Sequence, residues 1–172
     1  MSDYKKKEIK IGDLDLKSKV VKVNRVTKIE TGGSVLSFNA GVIVGDRSNV
    51  VGYGFGKALE PIKAIEKATR NARYTLMKVP IIHGTIPHPI TCKYKATTIL
   101  LKPAPPGTGI RAGGPAYDVL FFSGLTDVVC KVKKSNNPFN VVRATMKALG
   151  LLRDAWTVAR QRGIPLEKVF NG

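Results

Sequence analysis

The chain has 172 residues, 43% of them hydrophobic, and a net charge of +17. That apolar content fills a packed core and excludes a wholly disordered basic tail, and the length holds one ordinary domain or two small ones. The cation excess is shared, with a net of +8 over residues 1–79 and +9 over 80–172; solubility alone needs far less, so both halves point to a polyanion, and a nucleic acid fits better than a small nucleotide.

Residues 1–19 read as an N-terminal extension. Lys5, Lys6 and Lys7 are mixed there with Asp3, Glu8, Asp13 and Asp15. A signal peptide would show an apolar stretch, and a transit peptide would avoid acids, so the expected origin is the cytosol or the interior of an organelle. The longest uncharged stretch, Val79 to Cys92, contains Pro80, Gly84, Pro87 and Pro89. It cannot cross a bilayer as a helix, and no membrane partner is expected.

Residues 20–79 read as a first domain. Val20 to Val26 alternates as a strand, Thr31-Gly32-Gly33-Ser34 is a turn, and Val35 to Val44 is a second strand. Gly45 to Asn49 turns again, and Val50 to Phe55 is a third strand. A helix follows from Ala58 to Met77, with Ile62, Ile65, Ala68, Ala72 and Leu76 as its expected buried stripe. The order is β-β-β-α, the working half of a double-stranded-RNA-binding domain, which reads duplex shape with helix and loop together.

The run Gly52-Tyr53-Gly54-Phe55-Gly56-Lys57 reads as a glycine-lined turn that delivers Lys57 to the start of that helix, where the dipole favours a phosphate. Neither nucleotide fingerprint is present. The third glycine comes one residue early for G-x-G-x-x-G, and Lys57 is followed by Ala58 where a Walker loop needs Ser or Thr. Lys63, Lys67 and Arg70 fall at i, i+4 and i+7, flanked by Arg73. Such a like-charged stripe costs stability unless a ligand offsets it, which favours phosphate contact over a merely solvated face.

Residues 80–92 read as a proline-rich linker, and residues 93–172 as a second, α/β domain. Tyr94 to Lys102 is its first strand, Pro103 to Gly114 a glycine- and proline-rich loop, Pro115 to Ser123 a short helix and Val128 to Lys133 a strand. Asn137-Pro138 is a helix start, with Asn as cap and Pro in the first turn, and Val141, Val142, Thr145, Leu149 and Leu152 form the buried face. Trp156 to Arg162 and Leu166 to Phe170 close the chain as helical stretches. The fold class is therefore α+β, a double-stranded-RNA-binding-like domain followed by a small α/β two-layer domain.

Cys92 and Cys130 read as buried thiols, and His83 and His88 as loop histidines. No C-x-x-C pair anchors a metal, so neither metal nor cofactor is expected. No nucleophile elbow or H-E-x-x-H is present, no catalytic residue stands out, and the 12 carboxylates are scattered. Two further readings remain: a free-standing regulator that binds double-stranded RNA, and an RNA-remodelling, nucleotide-dependent enzyme whose phosphate loop would be Gly107 to Gly114.

The strings NRVTK (24–28), GG (32–33), VGYGFGKA (51–58), HP (88–89), GTGIRAGG (107–114), NPFNVVRAT (137–145) and RGIPLEKVF (162–170) resemble bacterial ribosomal protein S-five, the fifth protein of the small subunit, in that family's order and spacing. The resemblance implies a non-enzymatic constituent of the small subunit that binds small-subunit rRNA. It implies roles in subunit assembly and translational accuracy, contacts with ribosomal proteins four and eight, and a place near the path by which mRNA enters. It places the chain in the cytoplasm, within the ribosome, or in an organellar ribosome. By matched position it assigns Asn24, Arg25 and Lys28 to the strand leading into a tip loop that reaches rRNA, Gly32 and Gly33 to the tip itself, and Gly52, Gly54, Gly56 and Lys57 to the glycine turn. It assigns Gly107, Gly109, Gly113 and Gly114 to a second glycine loop that packs against protein four, and the neighbouring Arg111 and Tyr117 are expected at the same interface. The chain departs from the family at Glu30 beside the tip, at Arg111, and at Pro115 to Asp118.

Overall fold

The computed structural model describes residues 15–171; most of the N-terminal extension lies outside them. Strands β1 (Lys17–Glu30), β2 (Gly33–Gly45) and β3 (Val50–Ala58) precede helix α1 (Pro61–Tyr74) and the short strand β4 (Met77–Lys78). They form one antiparallel sheet in the order β1-β2-β3-β4. The hairpin β1–β2 turns through Thr31 and Gly32, with Glu30 paired to Gly33. Gly32 has φ 101°, the positive φ that a tight hairpin turn demands and that glycine alone adopts without strain. Asp46 closes the next turn, its carboxylate accepting the amides of Ser48, Asn49 and Val50 at 2.8, 3.1 and 2.9 Å. Burial opposes that charge, but the three amides together outweigh it and hold the carboxyl below its ordinary range.

Helix α1 crosses one face of this sheet, and the helix–sheet contact corrects two expectations. Gly52, Gly54 and Gly56 are not a turn; they are interior residues of β3, alternating toward α1. A Cβ at each would meet the carbonyl oxygen of Ala72, Ala68 and Ala64 in turn. The buried stripe of α1 is correspondingly Ala64, Ala68 and Ala72, while Ile62 is 69% exposed and Ile65 half-buried. Glycines at period two face alanines at period four, so helix and strand backbones approach without intervening side chains. Ala40, Val42 and Val44 of β2 complete this small core.

The opposite face of the sheet packs on the rest of the chain. Strands β5 (Ile90–Tyr94), β6 (Thr97–Pro103), β7 (Ile110–Arg111) and β8 (Val128–Lys134) form a second sheet in the order β5-β6-β8-β7. Only β7 and β8 pair in parallel, joined by helix α2 (Gly114–Phe122). The expected strand Tyr94 to Lys102 is in fact the second half of a hairpin, turning at Lys95 with φ 50°. Helix α3 (Pro138–Gly150) is capped by Asn137, whose side chain accepts the Phe139 amide at 3.1 Å, and it buries Val141, Val142, Thr145 and Leu149 as its spacing predicts. Helices α4 (Ala155–Arg162) and α5 (Leu166–Asn171) end the chain.

One core runs through both halves. Ile43, Val51 and Tyr53 of the first sheet join Ile99, Leu101, Leu120, Val128, Val142 and Leu149 of the second half, and Val79 just before the linker and Ile86 within it, each 1% exposed, join the same core. Residues 80–92 are thus packed at both ends. His88 fastens them further: its Nε2 accepts the Arg153 amide at 3.2 Å, which leaves the proton on Nδ1 to donate to the Pro89 carbonyl at 3.0 Å. Cys92 and Cys130 are both buried free thiols in this core, and burial pushes Cys130 up to about 11.

Candidate nucleic-acid interface

The hairpin β1–β2 carries the first group of candidate residues. From Thr27 to Val35 its residues are exposed, with Ile29 86% exposed near the tip. Lys28 lies two residues before the end of β1 and pairs with Glu30 at 2.7 Å, so Glu30 offsets one cation beside the tip. Both residues of this pair are largely solvated, where such a contact is worth well under about 1 kcal/mol, and an incoming phosphate displaces it cheaply.

Register brings Asn24 and Lys57 together. Asn24 pairs with Asn39 across β1–β2, and Asn39 pairs with Lys57 across β2–β3. Directly paired residues point to the same face, so the three form a row across the sheet. The side-chain oxygen of Asn39 is buried and has no hydrogen-bond partner. Nothing in the spacing of the sequence singles Asn39 out; only the strand register does.

Lys57 is exposed, but not at a helix start. It lies in β3 four residues before Pro61, on the sheet face that Tyr53 and Phe55 share, opposite the glycines and α1. The helix N-terminus is not an anion site either. Glu60 occupies the cap position without a side-chain cap bond and pairs with Lys63 at 3.1 Å. Gly52, Gly54 and Gly56 are buried against α1 and present no amide to a phosphate, which removes them from the interface. Lys63, Lys67, Arg70 and Arg73 are all exposed. Three of these four have no acid partner among the described ion pairs. Arg25, paired with Phe38, lies on the α1 side of the sheet. The cations of the first half therefore occupy two faces and not one surface.

Arg143 of α3 marks the seam between the halves. Its guanidinium lies 5.8, 6.0 and 5.9 Å from the rings of Tyr53, Phe55 and Tyr94, and donates to the Tyr94 hydroxyl at 3.1 Å. Phe139, one helical turn earlier, packs edge-on to Phe55 at 5.7 Å and lies against Gly41. Burial raises Tyr53, with the Arg143 guanidinium opposing. These cation–aromatic contacts lock the row beneath them to the second sheet.

The loop from Gly107 to Gly114 has different chemistry. Gly107 and Gly109 have φ 89° and 74°. The Gly109 amide donates to Asp127 at 2.9 Å, and the Thr126 hydroxyl donates to the same carboxylate at 2.8 Å. The Gly109 amide, then Thr126, hold Asp127 below the ordinary carboxylate range. The loop already cradles an anion, and it is the chain's own. Gly113 and Gly114 meet nothing where a Cβ would stand, Arg111 is exposed, and Tyr117 is 39% exposed. Tyr117 stacks on Phe121 at 5.8 Å, and Arg47 covers Phe121 at 4.4 Å. Asp118 accepts Lys19 at 2.6 Å, so the departure at Pro115 to Asp118 supplies a tie from α2 to β1. Among the described residues no group of three His, Cys, Asp or Glu is placed to hold a metal. No helix of the described residues is long and apolar enough to cross a membrane.

Two family models match the chain in succession: "Ribosomal protein S5, N-terminal domain" over residues 16–80, and "Ribosomal protein S5, C-terminal domain" over residues 92–162. The chain belongs to the ribosomal protein S5 family. It is 46% identical over 160 residues to the small ribosomal subunit protein uS5 of Bacteroides thetaiotaomicron, covering 93% of each chain. It is 46% identical over 170 residues to that of Flavobacterium psychrophilum, covering 98% of each, and 48% identical over 154 residues to that of Salinibacter ruber, covering 90% of this chain and 88% of the relative. The S5 family boundaries coincide with the two sheets, although a single core joins them.

Proposed function

We infer that the chain is a structural constituent of the small ribosomal subunit, without catalytic activity of its own, that holds small-subunit rRNA through its first sheet and helix. The observation that carries this reading is the match to both S5 domains over most of the chain, on a fold whose exposed cations outnumber their acid partners. The row Asn24–Asn39–Lys57 presents the exposed Lys57 ammonium at one face, the hairpin tip at Gly32 and Gly33 with Arg25 and Lys28 extends outward, and Lys63, Lys67, Arg70 and Arg73 cover the other side. Contacts on two faces suit a protein wedged between RNA segments better than a regulator that meets one duplex.

The second half supplies protein contacts. Gly107, Gly109, Gly113, Gly114 and Tyr117 form the surface for ribosomal protein four, with Arg111 at its margin toward the outer face of the sheet, and protein eight is a second protein partner. Membership of the S5 family supports a position beside the incoming mRNA and a role in translational accuracy. The nucleotide-enzyme reading is not favoured, because the Gly109 amide is spent on Asp127 and Pro115 has no amide to donate.

Gradient fractionation of tagged full-length chain tests the reading. The chain should sediment with small subunits, and free duplex RNA or nucleotide should not hold it. In filter binding to a 20-base-pair RNA duplex, Lys67→Gln with Arg70→Gln should flatten the salt slope by about two units, using about 0.9 per phosphate as the guide. A chain found only in light fractions overturns the assignment.

A further inference from the structure

The outer face of the second sheet is open, and every charged residue on it is basic. Cys92, Ile99, Leu101, Val128 and Cys130 point into the core. Alternation therefore sends Lys93 of β5, Lys102 of β6, Lys131 and Lys133 of β8 and Arg111 of β7 to the opposite face, and all five are exposed. Between them lie Thr91, Thr98, Leu100 and Val129. No carboxylate stands among these outward residues, and none of the five cations is in an ion pair among the described residues.

Register fixes their layout. Lys93 pairs with Thr98 and Thr98 with Lys133, Leu100 pairs with Lys131, and Lys102 and Arg111 both pair with Val129. With strands about 4.8 Å apart and residues about 3.3 Å along each, successive cations on the path Lys93, Lys133, Lys131, Lys102, Arg111 stand about 7–10 Å apart. Five uncompensated cations on so small an area repel one another, which a bound polyanion relieves.

We propose that this face is a second RNA-binding surface, whose occupant is the sugar-phosphate backbone of a single RNA strand. This rests on the reading of the chain as an RNA binder but not on the cations of its first half. The path zigzags, and a flexible strand can follow it; the rigid phosphate rows of a duplex cannot. The face carries no aromatic side chain, so no base stacks on it and the contact is independent of sequence. The hydroxyls of Thr91 and Thr98 add neutral donors to phosphate oxygens.

The test uses full-length protein and a 20-nucleotide oligouridine, titrated across a range of salt. Changing Lys93, Lys131 and Lys133 together to Gln should reduce the slope of log affinity against log salt by about two units, at about 0.7 per phosphate for a single strand. Changing the three to Arg should restore it. Lys131→Gln alone should remove about 0.7 of a unit, which decides the matter even where the triple variant melts early. The Lys67→Gln, Arg70→Gln protein should keep its slope on oligouridine while its duplex slope flattens by about two units. If the sheet variants leave the oligouridine slope unchanged, or flatten only the duplex slope, the proposal is overturned while the first-half interface stands.

Discussion

The two glycine clusters of this chain look alike in sequence and do opposite things. Gly52, Gly54 and Gly56 lie in regular strand, buried, with α1 backbone where a side chain would be. Gly107, Gly109, Gly113 and Gly114 lie in a surface loop with open space around them. In the first cluster glycine is required for what it lacks, a Cβ. In the second it is required at Gly107 and Gly109 for a positive φ, and at Gly113 and Gly114 for neither reason within the chain itself. Density of glycine alone therefore does not mark a ligand loop; what faces each glycine decides.

The largest expected effect breaks the first cluster. In Gly54→Ala the new methyl lands on the carbonyl of Ala68, a backbone atom that cannot rotate away. The helix must lift, opening the contact with Gly52 and Gly56 as well. A loss of about 3 kcal/mol or more is expected in urea unfolding. A loss below about 1 kcal/mol would mean that α1 rides loosely on the sheet.

The intermediate effect lies at the hinge between glycine loop and core. Asp127 has a folded-state pKa below its ordinary value because the Gly109 amide, and then Thr126, bond its charged form. Its contribution is therefore complete above the ordinary carboxylate pKa and is lost as pH falls through the lower, folded value. Amide exchange at Gly109 should accelerate in acid, once intrinsic exchange is corrected for, and the core amides of β6 should not follow. In Asp127→Asn the Gly109 amide should exchange faster at neutral pH, with that pH step gone. An unchanged step would assign the loop's order to the Thr108–Pro105 turn instead.

Much of this was legible from residue spacing, and what was not has a physical cause. Helix α3 was readable because cap, proline and apolar period all agree at Asn137, Pro138 and Val141 to Leu149. The hairpin tip was readable because Thr31-Gly32-Gly33 needs a positive φ between alternating strands. Gly52 to Gly56 misled because glycine usually breaks a strand, although the matching Ala64, Ala68 and Ala72 at period four were the signal that two backbones meet. The turn at Lys95 carries no glycine, proline or asparagine, and the joining of the halves through Val79, Ile86 and Arg143 is a matter of tertiary packing. For the site, the exposed cations of α1 were visible, but the division into two faces and the role of Asn39 follow from register alone.

The smallest effect has the opposite sign and sharpens the comparison most. Gly113 is the cap residue of α2, with φ −80° and ψ 138°, no side-chain cap bond, and nothing near its missing Cβ. Those angles suit any residue, so no conformational demand keeps glycine there. Serine at this position places a hydroxyl near the first-turn amides; Pro115 has none to offer, and the Ala116 amide already donates to the Gly113 carbonyl at 2.9 Å, so the hydroxyl shares that donor. Gly113→Ser should therefore stabilise the isolated chain by only about 0.3 kcal/mol in thermal unfolding. If the loop is bare because a neighbouring protein packs on it, the same change should weaken incorporation into small subunits when it competes with the unaltered chain. A variant that is both more stable and incorporated equally well would show that the second cluster, unlike the first, is not held open by any contact at Gly113.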